Sequence, residues 1–294
     1  MQRHFITYKS LTMNEKNKID NHNQTSSNRF KDKVAVVTGG ASGIGRAIVE
    51  EFCKEGGKVV FTDINSIGQT IQENDAELGY NTMFIQGDMA KKSFCVDCVK
   101  KAVSSFGAIN YLVNNAFSFV AAGLDADDEQ WMRSFKVGPL AYATMVQEAL
   151  PYMKKAGGGA VVNISSISAH IAQKDRWTYN ASKGAVNQLT KCQALDLAPY
   201  NIRVNSVDPG WIWTNETKKA AELDGGGPEK WDPIWGRFHM LRRLGRAVEV
   251  ARPTLFLLSD DASFITGTNL LVDGGYLAMG PEGLGEKTIN AGSE

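Results

Sequence analysis

Lys33-Val34-Ala35-Val36-Val37-Thr38 runs directly into Gly39-Gly40-Ala41-Ser42-Gly43-Ile44-Gly45. The first six residues are short, apolar and rich in β-branched side chains, the pattern of a strand buried on both faces. After the glycines, Ile44, Ala47, Ile48 and Phe52 recur at helical spacing, and Gly56-Gly57 closes that helix. Strand, glycine-rich turn and helix in that order make the setting in which such a motif binds a dinucleotide. The glycines let the backbone approach a pyrophosphate, which rests at the positive N-terminal end of the helix. Lys58–Thr62 then reads as a second strand ending in Asp63. An acid roughly 20 residues past the glycines is placed to bond both ribose hydroxyls of NAD and to repel the 2′-phosphate of NADP. No Arg or Lys stands beside it, since Ile64 follows and Ser42 occupies the turn. NAD is therefore expected over NADP.

The alternation continues outward from this unit. Thr82–Gln86 reads as a strand with Gly87-Asp88 at its carboxyl end, and helix Lys91–Phe106 leads to strand Ile109–Val113 and Asn114-Asn115-Ala116. A long helical stretch, about Asp127–Lys155, precedes Gly157-Gly158-Gly159 and strand Ala160–Ile164. Helix Tyr179–Leu197 and strand Ile202–Val207 follow. Alternating elements of these lengths imply right-handed crossovers and a parallel sheet covered on both faces. The expected fold is α/β, a Rossmann-type doubly wound sheet in three layers (αβα) forming a single domain. Ligands bind such sheets beyond the carboxyl ends of the strands. The glycine turn, Asp63, Asp88, Asn114, Ser166 and Pro209-Gly210 all fall there.

Composition narrows the rest. The chain has 294 residues, 43% hydrophobic and 22% charged, with 32 basic and 32 acidic side chains. A balance of zero with no basic-aromatic patch gives no case for nucleic acid, and no apolar run is long enough to span a bilayer. Cys95 and Cys98 form a C-x-x-C inside the helix at Lys91–Phe106 with no second ligand pair nearby, so helix packing rather than metal binding is expected. A reducing, cytoplasmic setting fits this usage. Residues 1–30 are rich in Asn, Ser, Thr and Lys without sustained periodicity, which predicts a disordered arm. Residues 1–12 carry Arg3 and Lys9 and no acid, a faint echo of a mitochondrial presequence.

Tyr179 and Lys183, four residues apart on one helix face, bring an ammonium near a phenol. One nearby cation lowers a phenol's pKa by roughly 1–3 units. A hydroxyl from Ser166 would hold the oxygen that this phenol protonates or deprotonates. By itself a Tyr-x-x-x-Lys is common on helices; its weight comes from the surroundings.

With these motifs in place, the chain from about Lys31 to Tyr276 resembles the short-chain dehydrogenase/reductase family. Thr38-Gly39-x-x-x-Gly43-x-Gly45 looks like its cofactor turn, Asp88 like its adenine-contacting acid, and Asn114-Asn115-Ala116 like its Asn-Asn-Ala-Gly signature. Ser166, thirteen residues before Tyr179, stands at the spacing of the catalytic serine. Pro209-Gly210 with Ile212 and Thr214 looks like the segment meeting the nicotinamide carboxamide. Phe264-Ile265-Thr266-Gly267 and Val272-Asp273-Gly274-Gly275 resemble the closing strand. The resemblance implies Tyr179 as general acid/base, poised by Lys183 and the oxidised nicotinamide, Ser166 holding the substrate oxygen, and Lys183 also bonding the nicotinamide ribose. It implies cofactor contacts from Gly39, Ser42, Gly43, Ile44, Gly45, Asp63, Ile64, Asp88, Met89, Asn115, Ala116, Tyr179, Lys183, Pro209, Gly210, Ile212 and Thr214. It further implies a substrate lid at about 211–245, a tail from 278 to 294, and homotetramers or homodimers acting on a small molecule, with no metal.

The chain departs from the family twice. Phe117 stands where the signature has Gly. The family's fourth catalytic residue is an Asn seven residues after a Trp, and here Trp131 is followed at that place by Gly138 and then Pro139. Pro139 lacks an N–H, which frees the Phe135 carbonyl for water, and Gly138 leaves room beside it. The expectation is a proton relay made from backbone and water. Trp177, Trp211, Trp213, Trp231 and Trp235 cluster in the active-site helix start and the lid. With Phe117, Phe119, His170 and Gln173 they suggest an aromatic pocket for a cyclic alcohol or polyol, or else a subunit interface or a small core within the lid. A rival reading keeps the fold and NAD binding without turnover, as a sensor or scaffold, and a methyltransferase is a weaker third.

Overall fold

The structure is a computed structural model that describes residues 28–281 and 283. The expected arm over 1–27, with its faint presequence echo, and the tail at 282 and 284–294 lie outside the described residues. Strand β1 (Val34–Thr38) is buried at every position. It passes through the glycine turn into α1 (Gly43–Lys54), β2 (Lys58–Asp63), α2 (Gly68–Glu77), β3 (Asn81–Gln86), α3 (Lys92–Phe106) and β4 (Tyr111–Asn114). The second half runs α4 (Asp128–Phe135), α5 (Ala141–Lys155), β5 (Gly159–Ile164), α6 (Trp177–Leu197) and β6 (Ile202–Pro209). The segment expected as a lid then runs from β7 (Ile212–Trp213) through α7 (Asn215–Leu223) and α8 (Pro228–Gly236) to β8 (Gly245–Arg246). Helix α9 (Ala247–Leu258) and strand β9 (Asn269–Val272) complete the domain.

Seven strands form one parallel sheet in the order β3-β2-β1-β4-β5-β6-β9. The chain starts in the middle, winds out to β3, then crosses back to β4 and winds the other way. That reversal opens a crevice above β1 and β4, where neighbouring connections leave in opposite directions. Alternation along β1 sends Ala35 and Val37 into one apolar layer with Ile48, Phe52 and Leu255, and Val36 into the other with Val99, Met145 and Val186. The first layer starts earlier in sequence than the expected boundary at residue 31. Phe30 is fully buried, stacked on Phe52 with centroids 4.3 Å apart and edge-on to Tyr111 at 5.5 Å. Truncating such a ring removes about 3–5 kcal/mol, so Phe30 belongs to the domain and not to the arm.

The helix expected from Asp127 to Lys155 is two helices. Asp127 caps α4 through a capping box with Gln130. A π turn at Lys136–Leu140 joins α4 to α5, with Gly138 at φ −82°, ψ −114° and Pro139 inside it. Pro139 has no N–H to give the ladder, and the wider i→i+5 spacing carries the chain past it. Cys95 and Cys98 are both fully buried on α3, and burial pushes their thiols up to about 11 and about 12. They are packing residues. No helix among the described residues is long and apolar enough to cross a membrane.

Candidate active site

The glycine turn is fixed to the end of β4 from both sides. Thr38 Oγ1 accepts the backbone N–H groups of Asn115 and Ala116, both at 3.0 Å, and Asn115 Nδ2 donates to the carbonyls of Thr38 and Gly39, also at 3.0 Å. A Cβ on Gly45 would stand 2.1 Å from the Gly39 carbonyl oxygen and 2.5 Å from Asn115 Nδ2, so only glycine lets α1 start this close to the turn. Ser42 precedes α1 without a side-chain cap, and no acid occupies its first turn. The helix end therefore presents backbone donors in a positive field, a donor set that suits a pyrophosphate. Thr214, from the segment expected as a lid, reaches the same turn: a Cβ on Gly43 would lie 3.3 Å from its Cγ2.

Asp63 stands beside the turn, its two carboxylate oxygens accepting from Ala41 N at 3.2 Å and Asn65 N at 3.0 Å. Ile64 next to it is exposed. Asp88 accepts from Ala90 N at 2.9 Å and pairs with Arg133 Nη1 at 2.7 Å. Burial alone would raise its carboxyl, but Arg133 and the Ala90 N–H outweigh that and hold it below the usual range. Two residues expected at the cofactor have their side chains engaged within the protein. Met89 turns its side chain into the core beneath Thr62, and the Asn115 side chain is occupied in pinning the turn.

Ser166, Tyr179 and Lys183 come together at the end of β5. Ser166 heads the short turn Ile167–Ala169, accepting from Ser168 N at 3.1 Å, and its hydroxyl acts on the Tyr179 phenol by lowering its pKa. Two bonds clamp α6 to β5: Lys183 Nζ donates to the Ile164 carbonyl at 2.9 Å, and Ser165 Oγ donates to the Lys183 carbonyl at 3.2 Å. The expected lowering of the phenol by Lys183 is not found in the cofactor-free protein. Nζ lies 5.8 Å from the Tyr179 ring centroid. Burial raises the phenol's pKa more than Ser166 and Arg176 lower it. Lys183 itself, 3% exposed, is pushed down to about 7 by burial, against the pull of Asp208. Desolvation is the largest cause of both shifts.

Two phenylalanines flank the phenol. Phe117 meets Tyr179 edge-on with centroids 5.3 Å apart, and Phe119 lies at 4.9 Å, with the Arg176 guanidinium 5.4 Å from the Phe119 ring centroid. The room expected beside Gly138 for a water relay is taken by the Phe117 ring, which corrects that expectation. His170 is also drawn elsewhere. Its Nε2 donates to Asp208 Oδ2 at 2.6 Å, where Asn187 Nδ2 also donates at 2.7 Å, while Ser206 Oγ donates to Oδ1 at 2.6 Å. Gln173 accepts from Ser168 Oγ at 2.6 Å. Trp211 packs with Trp235 and Phe238, and Trp213 and Trp231 complete a half-buried aromatic core within residues 211–238. Of the five clustered tryptophans only Trp177, half-exposed at the start of α6, stays outside that core. A cavity of about 330 Å³ behind Pro209-Gly210, lined by Trp211, Ile212, His239 and Arg243 among others, includes none of Ser166, Tyr179 and Lys183.

Asp208 and Arg133 went unread in the sequence. Asp208 is fully buried one residue before Pro209-Gly210, in a strand that also carries Arg203, Asn205 and Ser206, so its acid did not stand out. Arg133 joins Asp88 to Ser118 (Nε to Oγ 3.3 Å) across segments that no spacing rule connects.

A family profile described as Enoyl-(Acyl carrier protein) reductase matches residues 39–277. Cyclohexanol dehydrogenase of Acinetobacter sp. is 37% identical over 253 residues, 85% of this chain and 97% of its own. Cyclopentanol dehydrogenase of Comamonas sp. is 35% identical over 252 residues, 85% and 99%. The ligand-free aldohexose dehydrogenase of Thermoplasma acidophilum superposes with a TM-score of 0.78 at 39% identity, over 85% of this chain and 96% of that one. Fold, turn and profile agree, and the chain belongs to the short-chain dehydrogenase/reductase family of oxidoreductases.

Proposed function

We propose that the protein transfers a hydride between NAD(H) and a cyclic secondary alcohol or its ketone, with Tyr179 as the general acid/base. The observation that carries this reading is the setting of the Tyr179 phenol, which is walled by Phe117 and Phe119 and lowered in pKa by Ser166. Two rings beside the reacting group suit the apolar faces of a five- or six-membered carbocycle. The polar side chains that a sugar would need, His170 and Gln173, are engaged with Asp208 and Ser168. The cyclohexanol and cyclopentanol dehydrogenases among the relatives support this preference over the aldohexose-type reading.

The α1 N-terminus would receive the pyrophosphate, Asp63 the adenosine ribose, and Thr214 and Pro209-Gly210 the nicotinamide side. Asp63 beside the turn favours the free 2′-hydroxyl of NAD over the phosphate of NADP. The nicotinamide, when bound, supplies the hydride acceptor and, when oxidised, a positive charge near the phenol. Ser166 orients the alcohol oxygen, Tyr179 takes its proton, and Lys183 keeps a cation beneath the phenol when protonated. Burial of these groups excludes water from the bond being made.

Leu195 on α6 and Phe264 before β9 are exposed. We assign them to a contact with another copy, as a dimer or tetramer, which light scattering of the purified protein checks. The function is tested by supplying cyclohexanol, cyclopentanol and an aldohexose, each with NAD and NADP, and following reduced nicotinamide. Turnover of the carbocyclic alcohols with NAD is expected. Turnover confined to the aldohexose would overturn the substrate assignment, and cofactor binding without turnover of any alcohol would support a sensor or scaffold.

A further inference from the structure

The two positions at which the chain leaves the family pattern touch each other. A Cβ on residue 138 would stand 2.8 Å from Cε2 of Phe117 and 3.4 Å from its Cδ2. The lower figure is inside the contact distance of two carbons, about 3.5–4.0 Å. The ring is rooted next to Ala116, whose backbone is fixed by Thr38, and it is also held edge-on by Tyr179. It has little freedom to move aside. The same ring lies against Lys183, whose Nζ is 4.0 Å from the ring centroid. Thus one aromatic ring fills the space that a side chain at 138 would use and also covers one face of the ammonium.

We propose that Phe117 and Gly138 are an exchanged pair, in which Phe117 is a positioning residue that seats Lys183 and closes the α4–α5 break as a route for its proton. The Lys183 ammonium is held by the Ile164 carbonyl on one side and the π face of Phe117 on another. Gly138 is small because the ring stands there. The proton taken by Tyr179 then leaves by the open rim of the site and not through the turn at Gly138. The kinetic part of this proposal rests on the Tyr179 reading above; the packing part does not.

The test is a double-mutant cycle of Gly138→Ala and Phe117→Ala, read in two ways. The first is the melting temperature of the cofactor-free protein, which needs no catalysis. The second is kcat, KM and the pH profile with cyclohexanol and NAD. In the parent background, Gly138→Ala is expected to lower the melting temperature by about 4 °C or more and kcat by roughly tenfold, with KM nearly unchanged. In the Phe117→Ala background, the same substitution is expected to change kcat by less than about threefold. Removing the ring admits water to Nζ, so Lys183 keeps its proton to higher pH and favours the phenolate. The acid limb of kcat should therefore move about one unit toward lower pH in Phe117→Ala. Additive effects on both melting temperature and kcat, or an unmoved acid limb, would overturn the proposal. If Gly138→Ala does not fold, Gly138→Ser in the Phe117→Ala background still reads the coupling: folding there supports it, and failure there contradicts it. A parent that turns over no alcohol but shows coupled melting would remove the functional reading and leave the packing pair standing.

Discussion

The nucleotide half of the site and the substrate half are built from different kinds of constraint. Around the glycine turn, the backbone itself is the functional part. Gly45 is required because a Cβ there would make three contacts under 3 Å, and Thr38 and Asn115 hold the turn through hydrogen bonds to main-chain atoms. Around Tyr179, function depends on how side chains from four distant segments divide one small volume. Phe117 comes from the loop after β4, Gly138 from the α4–α5 break, Tyr179 and Lys183 from α6, and Ser166 from the end of β5. A backbone constraint leaves its trace in local sequence as a glycine at a fixed interval. A shared volume leaves none.

That contrast can be broken or sharpened by substitution. The largest effect is expected from Gly45→Val, whose side chain would collide with the Gly39 carbonyl and Asn115. Cofactor affinity, measured by quenching of tryptophan fluorescence on NADH titration, should fall by more than about 100-fold, with loss of stability of about 1–3 kcal/mol. Unchanged affinity would mean that the turn does not hold the pyrophosphate. Asp63→Ala should next cost roughly tenfold in the ratio of kcat/KM for NAD over NADP, because the ribose loses an acceptor and the phosphate loses its repulsion. A ratio that holds would move cofactor choice to another residue.

On the substrate half, Lys183→Met tests the burial of an ammonium. The folded pKa of Lys183 is lowered, to about 7, from the ordinary 10.5. Between those values the unfolded chain holds a proton that the folded chain has released, so stability rises with pH across that window. The cost of burying the charge is fully present below about pH 7 and is relieved above it. Urea unfolding of the cofactor-free protein at pH 7 and pH 9.5 should show a rise on the order of 2 kcal/mol, and Lys183→Met should flatten it. An equal rise in the variant would place the titration elsewhere. The smallest kinetic effect is expected at His170. In His170→Ala the bonded partner of Asp208 is lost, so stability should fall by about 1–3 kcal/mol. The KM for cyclohexanol should stay within about threefold, since the imidazole faces Asp208 and not the phenol. A large rise in KM would return His170 to the substrate.

The same contrast governs what could be read from the chain. The parallel sheet was legible from β1 onward because apolar strand runs and glycine punctuation are local signals, and the limits of β1 to β6 differ from the expected ones by one or two residues; the closing strand was expected at Phe264–Gly267 and Val272–Gly275 and lies between them, at Asn269–Val272. The cluster of Ser166, Tyr179 and Lys183 was legible because two of them share a helix face and the third ends a strand. The electrostatics of that cluster were not. An i,i+4 ammonium should lower a phenol in water, but burial at the base of the crevice reverses the balance for both groups. Helix α2 carried no clear signal, since only Gly68 and Asp75 on it are buried. His170 and Trp211 were expected at the substrate for their chemistry, and Asp208 and the aromatic core within residues 211–238 claimed them through contacts 38 and 24 residues away in sequence. Phe117 and Gly138 each looked like a separate departure, and only the 2.8 Å that would separate a Cβ on residue 138 from the Phe117 ring makes them one feature.

The central claim is that Tyr179 moves the proton while the rest of the crevice holds the cofactor. The most direct test is Tyr179→Phe, measured twice on the same preparation: NADH affinity by fluorescence titration, and kcat for cyclohexanol oxidation with NAD. The account predicts affinity within about threefold of the parent and kcat reduced by roughly 10²–10⁴-fold. A variant that retains kcat within about tenfold of the parent would contradict it.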